Sequence, residues 1–207
     1  MNAIKAYTQI YGDLDGQEIL NKIERCGRVC YKSEGKIEEG SAERFVANII
    51  QRGHETVLEH ASITVKFVVD RGVSHELVRH RLASYCQEST RYCNYAKEDF
   101  NSEITFIIPE YLDYKSEGWN TWKQTMKACE DGYFKLLNFG LSPQEARAVL
   151  PNSLKTEVIM TANIREWRLF FKLRTSDAAH PQMREVTRPL LDELKELIPV
   201  VFDDITY

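Results

Sequence analysis

The stretch RHRLASYCQESTRY, residues 79 to 92, gathers Arg79, His80, Arg81 and Arg91 with the hydroxyls of Ser84 and Ser89, the amide of Gln87 and the ring of Tyr92. Arginine presents a planar fork of donors that fits phosphate and carboxylate oxygens, and hydroxyls and an amide add neutral hydrogen bonds. An aromatic ring beside them can stack on a flat base. Such a set suits a phosphate, a ribose and a base held together. The rest of the chain favours a small anion over a polymer. Its 27 Lys and Arg stand against 31 Asp and Glu, a formal charge of -4, so a nucleic-acid footprint would work against the overall field.

Two common ways of holding a nucleotide are excluded. None of the ten glycines lies two positions from another, which rules out GxGxxG, and the Gly35-Lys36 pair lacks the upstream glycine of GxxxxGK. HETVLEH, residues 54 to 60, carries two histidines six apart, about 240° around an ideal helix, where a zinc-protease helix needs them four apart on one face. A polar turn before a strand, with His60 hydrogen-bonded, accounts for that stretch, and no metal is expected. Cys26, Cys30, Cys86, Cys93 and Cys129 form an odd set without CxxC spacing, which points to reduced thiols and a cytoplasmic setting. MNAIKAYTQIYGD has no apolar stretch of signal-peptide length, and no run is long enough to span a membrane.

The elements that must position these residues follow from period and capping. DGQEILNKIERCGRVCY and SAERFVANIIQRG space their apolar residues as helices do, whereas ASITVKFVVD alternates Ile63, Val65, Phe67 and Val69 against polar residues as a half-buried strand. GVSHELVRHRLASY returns to helical spacing. ITFIIP reads as a short strand, Trp119 to Phe139 as a long helix, and Ser142-Pro143-Gln144-Glu145 as a helix start. LKTEVIMTAN reads as another strand, and Asn163 with Glu166 resembles a capping box opening IREWRLFFKLR. The tail is a helix interrupted or restarted near Pro189. The result is one α+β domain, mostly helical, with few strands. If residues 73 to 84 are helical, Arg79 and Arg81 project roughly 200° apart and cannot grip one anion. Either one of them is an ordinary surface charge or two anionic partners meet at this helix.

Arg79-His80-Arg81, seven residues and then Ser89, with Arg91-Tyr92 behind it, resembles the signature of the flavin-dependent thymidylate synthases. GHETVLEH, ARAVLP, TANIREW and FFKLR fall in that family's order and spacing, so the resemblance runs over nearly the whole chain. It implies a single domain over residues 1–207, α+β and mostly helical with a small, mainly antiparallel sheet. The implied reaction is the reductive methylation of dUMP to dTMP, with methylenetetrahydrofolate as carbon donor, FAD as hydride carrier and NADPH as reductant. Carried over residue by residue, the resemblance places Glu76, Arg79, Gln87, Glu88, Ser89, Thr90, Arg91, Arg147 and Arg174 on dUMP. It places His54, Thr56, Glu59, Arg79, His80, Arg81, Gln87, Asn163 and Arg165 on the flavin side, and it implies a homotetramer with shared active sites.

Arg174 is the implied catalytic residue. A guanidinium stays protonated at working pH, so it cannot act as a base, but it can stabilise uracil ionised at N3 and so make C5 a better nucleophile. Leu169 departs from relatives that carry a polar residue there. Cys86-Gln87 is similar to the nucleophilic pair of the unrelated flavin-independent enzymes, yet a lone Cys with no paired base is usually inert. Two other functions compete. One is a module holding RNA or single-stranded DNA on Tyr85, Tyr92 and Tyr95, which the acidic balance disfavours. The other is a metal hydrolase built on the histidines, which their spacing disfavours.

Overall fold

Alternation and capping account for most elements of the computed structural model, which describes residues 1–96 and 103–207. Strands β1 (Asn2–Ile4) and β2 (Tyr7–Ile10) precede α1 (Gly16–Val29), which starts at Asp15, whose carboxylate accepts from the Glu18 amide at 3.0 Å. α2 (Ser41–Gln51) packs on α1 across Gly27, where a Cβ would come within 2.5 Å of the Phe45 ring. Only glycine lets the two helices approach this closely. β3 (Ser62–Asp70) buries Ile63, Val65, Phe67 and Val69, as its alternation requires. The chain continues through α3 (Arg71–Leu77), β4 (Ala83–Gln87), β5 (Thr105–Ile107), α4 (Glu117–Asn138) and α5 (Pro143–Ala146). It ends with β6 (Lys155–Asn163), α6 (Ile164–Arg174), α7 (Pro181–Leu197) and α8 (Pro199–Phe202).

Four strands lie in the order β2-β3-β6-β4, and β1 pairs in parallel with β5. β3 and β6 run antiparallel: the Thr64 and Thr161 hydroxyls lie 2.9 Å apart, while further along the Arg71 amide donates to the Leu154 carbonyl at 3.1 Å. The expected α+β class, mostly helical with a small antiparallel sheet, is the one found.

Two compact units divide the chain. The first comprises Met1–Tyr7, Phe67–Arg79 and Cys86–Ile159, with a core of Tyr95, Ile104, Phe106, Met126, Tyr133 and Leu154. The second comprises Thr8–Lys66, His80–Tyr85 and Met160–Tyr207. Its core stacks Trp167 on Phe171, sets Phe202 edge-on to Phe171, and satisfies the Trp167 indole N–H with the Ile63 carbonyl at 3.0 Å. Each fully buried side chain of this kind contributes about 1.5–3 kcal/mol.

Two expectations are corrected. The helix read over residues 73 to 84 stops at Leu77. The Val78 and Arg79 amides close the last turn onto Ser74 and Glu76, and the chain then extends into β4, beyond which the Glu88 amide donates to the Glu157 carbonyl at 2.9 Å. Sheet pairing outweighs a helical composition here. Arg79, His80 and Arg81 therefore lie in a turn and a short irregular stretch, and the 200° divergence does not apply. Conversely, α7 runs through Pro189 without a break. Proline inside a helix costs about 3 kcal/mol, which is offset by burying Val186, Leu190, Leu191 and Leu194 on one face. The interruption falls instead before Pro199. No helix among the described residues is long and apolar enough to cross a membrane.

Candidate active site

β6 delivers α6 without a loop, because its last residue, Asn163, caps the helix by accepting from the Glu166 amide at 2.9 Å. The expected capping box is half made. The Glu166 carboxylate turns instead to His80, whose Nδ1 lies 2.9 Å from Glu166 Oε1. On the other side of the ring, Arg174 Nε donates to His80 Nε2 at 3.1 Å. A guanidinium nitrogen only donates, so Nε2 is a bare acceptor and the ring proton sits on Nδ1, facing the carboxylate. His80 is a neutral imidazole. Burial pushes its pKa below the ordinary 6.5; the hydrogen bond to Glu166 opposes this shift, and the Arg174 cation adds to it. Phe170 meets the ring edge-on at 5.0 Å, and the Tyr85 hydroxyl donates to the His80 carbonyl at 2.8 Å. Burial and the Glu166 charge push Tyr85 up to about 12, so it stays neutral. The Arg174 backbone is fixed from α7 by Thr187, whose hydroxyl donates to the Arg174 carbonyl at 2.9 Å. Arg79 and Arg81 flank His80 and are exposed.

Most of the nucleotide-side candidates fall in the first unit. Gln87 Nε2 lies 3.0 Å from Ser74 Oγ and 3.3 Å from Thr156 Oγ1, so the amide is held between α3 and β6. Glu88 takes Lys155 at 3.0 Å on one oxygen and the Tyr95 hydroxyl at 3.1 Å on the other. Burial alone would lower the Lys155 pKa, but Glu157 and Glu88 outweigh it and the net shift is upward. After Glu88 the chain turns on Ser89, whose Oγ accepts from the Arg91 amide at 3.3 Å and whose carbonyl accepts from Tyr92 and Cys93. The exposed Arg91 guanidinium lies 5.6 Å from the Tyr92 ring. Buried Thr90 accepts from Arg147 Nη1 at 2.9 Å, and the two residues line a small cleft of about 170 Å³ with Arg71, His75 and Asn152. Glu76, in the last turn of α3, is half-buried.

Apart from His80 and Arg81, the flavin-side candidates of the second unit divide between two clefts. Glu59, Asn163 and Arg165 line one of about 360 Å³ with Leu82, Leu169 and Lys172; there Arg165 Nη1 donates to Glu59 at 2.6 Å. His54 and Thr56 open on another of about 690 Å³ with Arg28, Tyr31, Phe45 and Arg52. Both combine cations with apolar walls.

Five residues to which the sequence reading gave no part in the site matter to this arrangement. Arg71 and His75 bring a guanidinium and an imidazole to the Arg147 cleft, just past the end of the ASITVKFVVD strand. Lys155 anchors Glu88. Glu166 is visible as a cap residue, yet its partner is 86 positions away. Arg168 is fully buried, with Nη1 and Nη2 each 2.7 Å from Asp204 and Nη1 also donating to the Val201 carbonyl.

Residues 15–200 match the model of a family described as thymidylate synthase complementing protein. A flavin-dependent thymidylate synthase of Pyrococcus furiosus is 39% identical over 160 residues, 77% of this chain and 65% of that protein. The enzyme of the same name from Geobacter sulfurreducens is 35% identical over 184 residues, covering 86% and 78%, and that of Mycobacterium avium 33% over 210 residues, covering 93% and 81%. Among solved structures, a UMP/dUMP methylase of Streptomyces cacaoi bound with 5-Br dUMP superposes with a TM-score of 0.78 over 98% of this chain and 96% of that one. At 21% identity, that likeness is one of fold.

Proposed function

The chain belongs to the flavin-dependent thymidylate synthases, and from that membership we propose that it converts dUMP to dTMP with methylenetetrahydrofolate as carbon donor, FAD as redox carrier and NADPH as reductant. The observation that carries the reading is the Arg174 guanidinium held by a neutral His80. An uncharged acceptor orients the guanidinium without itself adding a negative charge, and a fixed cation suits charge that develops on a ligand. Directed at the uracil edge, Arg174 stabilises the ring ionised at N3 and raises the nucleophilicity of C5.

The residues present fit the remaining groups. Arg147, fixed by Thr90, with Arg91 and the Ser89 turn supplies donors for the dUMP phosphate, while Glu76 and Gln87 supply polar groups for the ribose and base. Arg165, Asn163, Lys172, Leu82 and Leu169 offer a flat ring system an apolar wall and its phosphates a cationic edge, with Arg79 and Arg81 exposed beside His80. His54, Thr56, Tyr31 and Phe45 suit a second flat ligand. A bound flavin supplies the hydride that takes the transferred one-carbon unit to the methyl level, and NADPH restores it. The protein's own work is to stack, orient and screen these ligands from water. We place the reaction in the cytoplasm, in a homotetramer whose sites draw on more than one subunit; free thiols at all five cysteines suit that compartment.

Tritium release from [5-3H]dUMP tests the proposal. It is expected to require flavin, NADPH and methylenetetrahydrofolate together, and the purified protein is expected to show flavin absorbance. Colourless protein that neither binds added FAD nor oxidises NADPH would overturn the proposal.

A further inference from the structure

We infer that Glu166 is a positioning residue: through the His80 ring it fixes the orientation in which the Arg174 guanidinium meets the uracil. The inference rests on the reading of Arg174 given above. Three side chains form one line of hydrogen bonds, Glu166 Oε1 to His80 Nδ1 at 2.9 Å and His80 Nε2 to Arg174 Nε at 3.1 Å. The Glu166 and His80 side chains are each 5% exposed, so the line is shielded from water.

A second helix start in the same chain shows what Glu166 would do if it served only as a cap. At α5 the N3 glutamate, Glu145, returns to the Ser142 amide at 2.8 Å and closes the capping box. Glu166 holds the equivalent place at α6, where Asn163 already caps the helix, yet its carboxylate is committed to a ring 86 residues away. That commitment selects a tautomer. A carboxylate accepts, so it holds the ring proton on Nδ1 and leaves Nε2 bare for Arg174. With the proton on Nε2, or on both nitrogens, an N–H would face an N–H and the bond that orients Arg174 Nε would be lost. Glu166, Arg174 and Phe170 from α6 meet the ring, the neutral Tyr85 hydroxyl from β4 donates to the His80 backbone carbonyl, and Arg79 and Arg81 flank His80 in the chain.

Two measurements on the full-length enzyme decide the matter. The first is the pH profile of dTMP formation by Glu166→Gln beside wild type and Arg174→Ala. The Gln variant is expected to lose about 10- to 100-fold in kcat, the usual scale for a misplaced catalytic group. Its acid limb is expected to move to lower pH, because the carboxylate is what raises the His80 pKa against burial. A cap or packing role would lower thermal stability and leave the acid limb in place. The second is the 15N spectrum of selectively labelled histidine in wild-type enzyme, which does not depend on any variant folding. It is expected to show His80 as the Nδ1–H tautomer, and an Nε2–H tautomer or an imidazolium at neutral pH would overturn the proposal. An active Arg174→Ala would remove the reading of Arg174 on which the proposal stands. An inactive Arg174→Ala beside a Glu166→Gln enzyme with unchanged kcat and acid limb would leave that reading in place and reject Glu166 alone.

Discussion

Arg147 Nη1 donates to the buried hydroxyl of Thr90 at 2.9 Å, so a cation at the surface is anchored by the turn that follows β4. Thr90→Val keeps the shape and removes the acceptor. The expected result is a rise in KM for dUMP of about fivefold, equivalent to roughly 1 kcal/mol for one hydrogen bond, with kcat little changed. An unaltered KM would mean that Arg147 does not meet the dUMP phosphate.

Cys86 stands exposed on β4, one residue before Gln87. Cys86→Ala is expected to keep dTMP formation within about twofold of wild type, since a flavin-driven transfer needs no thiolate; loss of a covalent nucleophile would cost several powers of ten. Steady-state kcat separates the two outcomes. A loss on the larger scale would point to nucleophilic catalysis by this thiol.

What could be read from the sequence was whatever local periodicity and capping determine. α1, α2, α4, β3 and β6 lie where their apolar spacing puts them, and both Ser142 and Asn163 cap the helices they precede. What depended on distant partners was hidden. Nothing local in GVSHELVRHRLASY marks the end of a helix at Leu77, because that end is set by the pairing of β4 in the sheet. β1 and β2 are too short and mixed in character to announce themselves. The motif supplied the identities of Arg79, His80, Arg81 and Arg174, but not that His80 would lie buried between Glu166 and Arg174, a geometry only the folded chain creates.

Arg168 and Asp204 form a pair whose loss has a definite sign with pH. The hydrogen bond from Arg168 holds the Asp204 carboxyl below its ordinary 3.8, with the Arg168 charge acting the same way against partial burial. The unfolded chain therefore binds more protons in acid, so the contribution is present above about pH 4 and is lost as pH falls through the folded value. His80, buried neutral with its pKa lowered, acts in the same direction from pH 6.5 downward. Asp204→Asn is expected to cost about 2–3 kcal/mol at neutral pH, less than a fully buried pair because half of Asp204 meets water. Thermal melts across pH check this: the two curves should converge in acid, and a constant gap would assign the loss to packing.

α6 is continuous from Ile164 to Arg174, so Arg165 and Arg174, nine residues apart, project roughly 180° from each other and stand roughly 13 Å apart along the axis. Arg165 lines the cleft with Glu59 and Leu169, while Arg174 is bonded to His80. Two cations on opposite sides of one helix serve one flavin and one nucleotide most directly when the helix lies between two sites, each completed by another copy of the chain. Subunit mixing tests this. Arg165→Ala and Arg174→Ala are each expected to be nearly inactive alone. Unfolded and refolded together, they are expected to regain activity, because some mixed sites then receive an intact Arg165 from one chain and an intact Arg174 from another. Native mass spectrometry establishes whether mixed oligomers have formed. Mixed tetramers without recovery would assign both arginines of a site to one chain, and a monomer by light scattering would end the shared-site reading.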